Sequence, residues 1–405
     1  MVDRNLIILT RRFPYFKTEA FLESEIDFVS KKFNKVYIYP SEINYEKRNL
    51  PDNVIVCEDF SFKFQNKSQR IFSTLFSNIF WSSLLDQKKS LKGISDYILL
   101  FKFISNALVY YNYFDQNPVL NGSSIVYSYW FNAAPFGMIK LKIKNSLSFK
   151  IIARAHRYDI YEGLPSTPRF WPYRDYVLKN ITNVFSISSD GKKYIESKYT
   201  GLPNEKVGIS RLGVLDHGIL STRSKSKLVT VISVSRITPM KRVDFIFSCL
   251  NVFAINNPDL SIKWIHFGDG ELYKSVSDIS SKSSINLFVD LRGAVSNRVI
   301  YDFYSTNSVD LFINLSLSEG IPVSIMEAQS FGIPTIATDV GGNSEIVNDQ
   351  NGALIDPFLS EIEVSEVIST VLFKCIEPLI VKQSWKNNFD ATINYTAFAN
   401  TLSKL

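Results

Sequence analysis

The sequence contains few of the residues that proteins use to bind metals or to form disulfides. Among its 405 residues are three cysteines and three histidines. Cys57, Cys249 and Cys375 are too far apart for a metal or disulfide spacing, which favours a reducing compartment. No Asp-x-Asp triplet offers carboxylates to a metal-bridged diphosphate. We therefore expect no bound metal and no cofactor.

Long apolar runs are also missing. The most apolar stretch, Tyr97 to Phe114, carries Lys102 and several polar residues, so a buried or amphipathic helix is expected there rather than a membrane span. The apolar run near the N-terminus is too short for a signal peptide and leads directly into Arg11 and Arg12. We expect the protein to remain in the cytoplasm.

Charge is distributed unevenly along the chain. The formal net charge is +6, but residues 1–200 hold 28 Lys and Arg against 18 Asp and Glu, a net of +10, and residues 201–405 a net of −4. The basic half favours contact with anionic lipid headgroups or an anionic acceptor, although scattered solvated lysines explain it equally well. Peripheral contact with the inner face of an anionic membrane is one expectation. Nucleic acid is not an expected partner, because no binding motif accompanies the charge.

The chain does contain an alternation of short β-rich runs and helical stretches, which is typical of parallel α/β sheets. We predict an α/β fold with two doubly wound Rossmann-like domains that face each other across a ligand-binding cleft. The domains are expected over residues 1–215 and 228–384, with a polar linker over 216–227. Residues 60–95 show no clear pattern. Strands are predicted at residues 6–9, 35–39, 124–127, 150–153, 183–187, 228–234, 262–267, 285–289, 309–314 and 334–338, and helices in the first half at 19–33 and 97–113.

The segment from Ser316 to Gly342 has the strongest functional pattern. Glu319 follows a largely apolar run, and Glu327 comes eight residues later, after a Gly-Ile-Pro step typical of a helix start. We place Glu319 in the turn after a strand and Glu327 about one turn into the helix. Free N–H groups near Val323 and Ser324 make this junction an anion site, and the carboxylates are acceptors for hydroxyls. The combination suggests a ligand such as a nucleotide-sugar; an ordinary turn with a solvated Glu319 is the alternative.

A cationic pair follows the first strand predicted for the second half. Arg236 and Lys241 are five residues apart, near the carboxyl end of the strand at 228–234. A planar guanidinium and a compact ammonium are suited to holding a diphosphate from two sides. A solvated turn is the alternative interpretation.

These motifs, taken in order, resemble those of the family 4 retaining glycosyltransferases, which share the two-domain GT-B fold. The resemblance covers most of residues 228–360, and the order and spacing of the motifs are jointly specific. It is carried by Ser-Arg236-x4-Lys241, His266-Phe-Gly268-Asp-Gly270, Arg292-Gly293, Ser318-Glu319-Gly-x6-Glu327-Ala and Thr338-Asp-Val-Gly341-Gly342-Asn-Ser-Glu345.

The resemblance implies a role for each matching residue. Arg236 and Lys241 would bind the donor diphosphate and offset charge on the departing nucleotide. Glu319 would accept hydrogen bonds from hydroxyls of the donor sugar, and Glu327 from the nucleotide ribose. The positions that would help to hold the sugar and the phosphate are Gly320, Ile321, Val323 and Ser324.

In the first half, the segment Arg154-Ala-His156-Arg157-Tyr-Asp159 follows a predicted strand and is similar to the active-site histidine segment of this family. The resemblance implies that His156 contacts the donor sugar or the developing oxocarbenium, with Asp159 in support as a substrate-binding residue. Arg154 or Arg157 is a further candidate for phosphate contact. A lone histidine is nevertheless more often structural than catalytic.

Three further segments have weaker assignments. Many relatives carry a glycine-rich loop after the first strand; this chain has none, and we assign its loop at residues 10–26 to acceptor recognition. The aromatic run at residues 127–131 is expected either to present rings to an acceptor sugar or to pack in the core. Residues 385–405 fit the terminal helix that returns to the first domain in this fold.

The reaction implied by the resemblance is metal-independent sugar transfer with retention at the anomeric carbon. The expected donor is a UDP- or GDP-sugar, which is a substrate and not a cofactor. The acceptor is a saccharide or a lipid-linked saccharide, in the synthesis of cell-surface polysaccharide or lipopolysaccharide. A glycosidase is not expected, because carboxylates eight residues apart on one helix would be about 12 Å apart, whereas hydrolase pairs are about 5 to 9.5 Å apart.

Two alternatives stay open. A nucleotide-sugar epimerase on the same fold would need acid and base groups that we do not find in the sequence. A non-catalytic module that binds a sugar or a nucleotide is the other, although Arg236, Lys241, Glu319 and Glu327 are all intact. A nicotinamide-dependent enzyme is disfavoured, because no Gly-x-Gly-x-x-Gly follows a predicted strand.

Overall fold

The computed structural model describes residues 2–16, 18–19, 21–164, 167–224 and 227–405. The chain divides into a first unit, residues 1–212 with 392–405, and a second unit, residues 213–391. Lys17 and Ala20 of the predicted acceptor loop, and residues 225 and 226 of the predicted linker, lie outside the described part. Each unit contains its own parallel sheet, so the α/β prediction is confirmed.

The first unit is built around a sheet in which every neighbouring pair of described strands is parallel. Its strands are β1 (Val2–Thr10), β2 (Phe33–Pro40), β3 (Val54–Val56), β4 (Ile125–Ser128), β5 (Lys150–Ala155), β6 (Asn183–Ser186) and β7 (Val207–Ile209). Their order is β3-β2-β1-β4-β5-β6-β7. The chain leaves β1 toward β3 and returns to β4 on the other side of β1. The β1–β4 junction is therefore the topological switch point, where such sheets bind ligands.

Helices cover this sheet, and three of them occupy the region that shows no clear sequence pattern. They are α1 (Phe21–Ser30), α2 (Asp59–Gln65), α3 (Lys67–Leu75), α4 (Asn78–Asp86), α5 (Ile94–Gln116), α6 (Ala133–Lys144), α7 (Arg157–Ile160), α8 (Arg174–Asn180) and α9 (Ser189–Lys198). Asn66 and Ser77 cap α3 and α4, each side chain accepting a backbone N–H at 3.1 Å. These caps divide residues 59–86 into short helices, so no single helical period extends over the region.

The second unit has its own parallel sheet. Its strands are β8 (Leu228–Val234), β9 (Ser261–Phe267), β10 (Leu287–Leu291), β11 (Leu311–Asn314), β12 (Thr335–Thr338) and β13 (Gly352–Ile355). Among the described residues their order is β10-β9-β8-β11-β12-β13, with the switch point between β8 and β11. All residues of β11 and β12 are buried, as expected for a sheet covered on both faces.

The remaining helices pack on this sheet or return to the first one. They are α10 (Val243–Asn256), α11 (Tyr273–Ser280), α12 (Asn297–Thr306), α13 (Val323–Ser330), α14 (Glu361–Phe373), α15 (Pro378–Phe389) and α16 (Ala391–Lys404), with 3-10 turns at Pro239–Lys241 and Gly341–Glu345. Phe398 and Leu402 of α16 are buried in the core of the first unit with Ile8 and Tyr127. No helix in the described ranges has the length and apolar content that crossing a membrane requires.

Candidate functional site

The central element of the site is the loop between β11 and α13. β11 ends at Asn314 and α13 begins at Val323, with Pro322 as its N-cap residue. The predicted strand, turn and helix are therefore present, with Glu319 in the turn and Glu327 in the second turn of the helix. The buried apolar strand and the fixed backbone angle of Pro322 explain why the chain turns here.

Glu319 is 8% exposed and forms an ion pair with Lys241, whose Nζ lies 2.5 Å from Oε1. Asn314 also donates to Oε1, at 3.3 Å. The N–H of Leu317 donates to the carbonyl of Met240 at 2.9 Å, and this bond joins the Glu319 loop to the turn that carries Lys241. None of the described residues donates to Oε2 of Glu319. One carboxylate oxygen is thus fixed by the protein, and the other is open to a ligand donor.

Two glycines allow another segment to pack against the Glu319 turn. Gly341 has φ +56°, and a Cβ there would lie 2.0 Å from the carbonyl oxygen of Glu319. The N–H of Gly342 donates to the carbonyl of Gly320 at 2.7 Å. A side chain at position 341 would therefore displace the turn, so the glycine maintains the position of Glu319.

Side chains of α12 donate to only one carboxylate oxygen of Glu327, as found for Glu319. Asn297 donates to its Oε1 at 2.8 Å and Tyr301 at 2.7 Å, whereas no described residue donates to Oε2. Burial raises the pKa of Glu327 to about 7, and the hydrogen bond from Tyr301 opposes the rise. Glu327 is therefore a buried acceptor with one open oxygen, and it is partly protonated at neutral pH.

Arg236 differs from the other cations near the carboxyl end of β8. Its side chain is exposed and makes no hydrogen bond or ion pair with the described residues. It lines a cavity of about 720 Å³ together with Gly268 and Asn297. In contrast, Arg242 donates to the carbonyl of Pro357 at 2.6 Å, so its guanidinium is engaged by the second unit itself. Arg236 is thus the arginine available to an anionic ligand in this cavity.

The first turn of α13 supplies further donors. The N–H groups of Val323 and Ser324 have no partner within the helix, because the first N–H groups of any helix lack one. The helix dipole also favours an anion at this end. Gly320 and Ile321 precede the helix in the same loop, so the structure brings these four predicted positions into one short segment beside Glu319.

His156 is in the first unit, directly after β5, and it is 9% exposed. Its ring centroid lies 4.7 Å from those of Tyr129 and Trp130. Neither ring nitrogen has a hydrogen-bond partner among the described residues. Burial, together with the charge of Arg154, lowers the pKa of His156 to about 3. The imidazole is therefore neutral at physiological pH.

Asp159 supports His156 through the backbone rather than through the ring. Its carboxylate accepts the N–H groups of His156 and Phe131, both at 2.6 Å, and it is completely buried. Burial raises the pKa of Asp159 to about 7, although Arg174 opposes the rise. Because Asp159 has no exposed surface, its carboxylate is not available to a substrate in this structure, and its contacts fit the predicted position in support of His156.

The suggestion that Arg154 contacts a phosphate is corrected, because this side chain has no access to a ligand. It is fully buried, and its Nη1 lies 2.8 Å from Oε2 of Glu25. Tyr127 donates to the other oxygen of Glu25 at 2.9 Å. Tyr127, Tyr129 and Phe131 of the aromatic run are buried as well. Core packing is thus the correct alternative for these three rings, and only the partly exposed Trp130 of this run is available to a ligand.

Sequence reasoning missed the function of Glu19 in the N-terminal loop. Its carboxylate accepts the N–H groups of Arg11 at 3.1 Å, Arg12 at 2.6 Å and Phe13 at 2.7 Å. It also accepts the indole N–H of Trp130 at 2.5 Å. The chain therefore fills the amide nest after β1 with its own carboxylate, and this fixes Trp130. Asn297 and Tyr301 were missed too, because nothing in their local sequence indicates that they reach Glu327.

No metal site is evident from the residues that the structure describes. No group of three His, Cys, Asp or Glu side chains in those ranges is arranged to hold an ion. The expectation that the protein needs no metal or cofactor stays a prediction.

The architecture defines the class of the protein. The chain matches the solved apo form of the lipopolysaccharide outer core galactosyltransferase WaaB with a TM-score of 0.68 and 14% identity, over 99% of this chain and 100% of that one. This likeness concerns the fold, and it confirms the predicted GT-B class. Residues 221–374 match the model of the family Glycosyl transferases group 1. The matched part of the chain contains Arg236, Lys241, Glu319 and Glu327.

Two curated relatives from Escherichia coli match part of the chain. The protein named O-antigen biosynthesis glycosyltransferase WbnH is 28% identical over 38% of this chain and 44% of its own length. The protein named UDP-Gal:alpha-D-GlcNAc-diphosphoundecaprenol alpha-1,3-galactosyltransferase is 26% identical over 45% of each chain. The chain thus spans less than half the length of these relatives.

Proposed function

We propose that this protein is a retaining hexosyltransferase that uses a nucleotide diphosphate sugar. The donor is a UDP- or GDP-sugar, and the acceptor is a saccharide or a lipid-linked saccharide. The reaction needs no metal in this proposal, and it belongs to the synthesis of cell-surface polysaccharide or lipopolysaccharide. The names of the relatives support this choice, since one of them joins a UDP-linked galactose to a lipid-diphosphate-linked sugar.

One observation supports the proposal above all others. Glu319 and Glu327 each use Oε1 for donors from the protein and leave Oε2 without a described donor. Neither Oε2 is a buried atom without a partner, so each is open to solvent, and hydroxyl groups of a ligand can donate to it. In our proposal Glu319 accepts from the transferred sugar and Glu327 from the nucleotide ribose.

The diphosphate is assigned to the cationic side of the same unit. Arg236 has no partner among the described residues and offers a planar fork, and the free N–H groups at the start of α13 offer further donors. Lys241 already faces Glu319, so its charge is shared between the carboxylate and the bound phosphate. These groups would stabilise negative charge on the departing nucleotide diphosphate.

The neutral, buried imidazole of His156 is assigned to the transferred sugar. The unprotonated nitrogen of a neutral imidazole can accept a hydrogen bond from a sugar hydroxyl. The imidazole can also stack on the sugar ring as positive charge develops there. The acceptor hydroxyl attacks the anomeric carbon on the face that the nucleotide leaves, and the leaving phosphate takes its proton. The glycosidic bond to the nucleotide breaks as the bond to the acceptor forms.

Contact with an anionic membrane is part of the proposal for a lipid-linked acceptor. Large apolar side chains are exposed on α3, directly after it, on α4 and at the start of α5, among them Phe76 at 82%, Trp81 at 56% and Leu85 at 72%. Exposed lysines follow α4 at positions 88, 89 and 92. Apolar side chains bordered by lysines are suited to a lipid surface that carries negative headgroups.

Vesicle sedimentation tests the membrane contact. Phe76→Ser together with Trp81→Ser should reduce binding to vesicles of phosphatidylglycerol and phosphatidylcholine, whereas Phe358→Ser, at a side chain 86% exposed in the second unit, should not. Equal binding by all variants would remove membrane contact from the proposal.

Donor binding is tested first, by thermal shift with UDP, GDP and their sugars. Arg236→Ala should weaken binding of the stabilising nucleotide about tenfold. Arg298→Ala is the control, because this arginine is 90% exposed and pairs only with Asp302 at 3.9 Å among the described residues. If no nucleotide stabilises the protein, the donor assignment is wrong.

Product analysis separates the competing activities. With the identified donor, a transferase needs an acceptor to form product, and nuclear magnetic resonance of the new linkage reports whether the anomeric configuration is retained. A new nucleotide-sugar or a free epimerised sugar formed without acceptor would favour the epimerase. Donor binding without any turnover across an acceptor panel would favour the binding module.

A further inference from the structure

A cavity of about 560 Å³ in the first unit is separate from the donor-binding groups of the second unit. Thr10 and Ser128 line it at the carboxyl ends of β1 and β4, and Arg70 and Lys102 line it from α3 and α5. We call it the switch-point pocket, because strand order reverses between β1 and β4. Its volume is within the range of small-molecule sites.

The lining of this pocket carries positive charge without compensation. Lys67, Arg70 and Lys102 line it, and none of them forms an ion pair with an acidic side chain in the described ranges. Glu42 lines it too, but arginine side chains of the N-terminal loop engage both of its oxygens. An anionic group on the ligand would supply the missing negative charge.

Arg70 is held in place by hydrogen bonds from its guanidinium. Its Nη1 donates to the carbonyl of Phe64 at 3.0 Å and its Nη2 to the side chain of Asn106 at 2.5 Å. Both acceptors are neutral, and Nε is buried without a partner. A half-buried guanidinium held only by neutral groups keeps its full charge in a fixed position, so it is preorganised for an anion.

Aromatic side chains form another part of the lining. Trp130, Tyr158 and Trp171 belong to it, and the indole N–H of Trp171 is buried without a partner among the described residues. Trp130 also contacts the ring of His156, with centroids 4.7 Å apart. Flat apolar faces combined with an unpaired donor are suited to a sugar ring and its hydroxyls. The pocket therefore adjoins the residue that we assign to the transferred sugar.

We infer that the switch-point pocket binds the acceptor, and that this acceptor is a sugar joined to a phosphate group. Lys67, Arg70 and Lys102 contact the phosphate, while Trp130 and Trp171 contact the sugar. The inference rests on the proposed glycosyl transfer, whose acceptor it specifies. The phosphate belongs either to a lipid diphosphate linker or to a phosphorylated saccharide, and the chemistry that the pocket recognises is the same.

Calorimetric titration of the full chain tests this inference without requiring turnover. The probes are glucose 1-phosphate, glucose, and glucose linked through diphosphate to a short prenyl chain, each added to protein carrying Arg236→Ala so that the donor site is weakened. In that background, K67Q/K102Q should reduce the affinity for a phosphate-bearing probe about tenfold or more. The control K35Q/K193Q removes the same charge from exposed lysines outside the pocket and should leave affinity within about twofold.

Each outcome has a definite meaning. A loss with the prenyl diphosphate probe alone assigns the lipid linker, and a loss with glucose 1-phosphate as well assigns a phosphate ester in general. Equal losses in both double variants, no binding of either phosphate probe, or equal affinity for glucose would overturn the inference. UDP binding, measured separately with Arg236 intact, should not change in K67Q/K102Q. Failure of UDP to bind at all would defeat the proposed donor and not the pocket.

Discussion

Each unit contains a glutamate paired with a cation, and the two pairs differ in what they leave exposed. In the first unit, Glu25 and Arg154 lie 2.8 Å apart with side chains 1% and 0% exposed. In the second, Glu319 and Lys241 lie 2.5 Å apart with side chains 8% and 25% exposed. Tyr127 donates to Oε1 of Glu25, and Oε2, which is buried, has only its ion pair with Arg154. Oε2 of Glu319 has no described donor or cation and is not buried.

The difference separates a structural ion pair from a candidate ligand site. A fully buried pair holds α1 against the sheet, and a ligand cannot reach its carboxylate oxygens. A partly exposed pair with one open oxygen can exchange a protein contact for a ligand contact. The same residue types thus serve two purposes, and the access of solvent to the carboxylate oxygens distinguishes them.

The largest expected effect comes from breaking the buried pair of Glu25 and Arg154. Glu25→Ala leaves the guanidinium of Arg154 buried without a counter-charge, and this should lower the free energy of unfolding of the first unit by about 3 to 5 kcal/mol. Urea denaturation followed by tryptophan fluorescence measures the loss. Glu23→Ala is the matched control on α1, because Glu23 is 58% exposed in its pair with Arg48 and should contribute about 1 kcal/mol or less. Equal losses in the two variants would contradict the comparison.

The next effect should appear in activity rather than in stability. Glu319→Gln keeps the shape of the side chain but removes the charge and an acceptor, so transfer should fall roughly 10- to 100-fold. The melting temperature should change less than in Glu25→Ala, because Lys241 is 25% exposed and can be solvated once the charge of Glu319 is removed. Initial rates with the identified donor measure the loss, and Glu366→Gln on the exposed side of α14 is the control. Full activity of Glu319→Gln would remove this residue from the site.

The smallest effect concerns the pH dependence of stability. The pKa of Glu327 is raised by burial from 4.5 to about 7. The native state therefore binds more protons than the unfolded state between these values, and stability should fall as pH rises through this window. Between pH 5 and pH 8 the free energy of unfolding should fall by about 2 kcal/mol in the original protein, and Glu327→Gln should remove this pH dependence. Denaturation across this range measures it, and an unchanged slope would mean that Glu327 is ionised throughout.

Sequence patterns were sufficient for the backbone of the candidate site. The apolar runs at β8 and β11 and the Gly-Ile-Pro step before α13 are local signals, and the structure confirms the strand–turn–helix that they predict. The strands β3, β7 and β13 were not predicted. β3 and β7 are three residues each and lie at opposite edges of one sheet, where little apolar surface is needed.

The environments of the side chains could not be predicted from the sequence in the same way. Arg154 and Arg236 both follow or end an apolar strand, yet one is fully buried and the other exposed. Nothing near Arg154 in sequence shows that Glu25 pairs with it. Similarly, the aromatic run at residues 127–131 alternates between buried rings and the partly exposed Trp130, and this assignment depends on which face the sheet covers.

The sequence by itself determined the α/β alternation, the uneven charge, and the positions of Glu319 and Glu327 relative to a helix start. These properties depend on residues within about one or two turns of each other. Only the tertiary structure decided that Lys241 faces Glu319 across 78 positions and that Tyr127 faces Glu25 across 102. Burial and pairing depend on neighbours in space. The difference between the buried Glu25–Arg154 pair and the partly exposed Glu319–Lys241 pair therefore exists only in the folded chain.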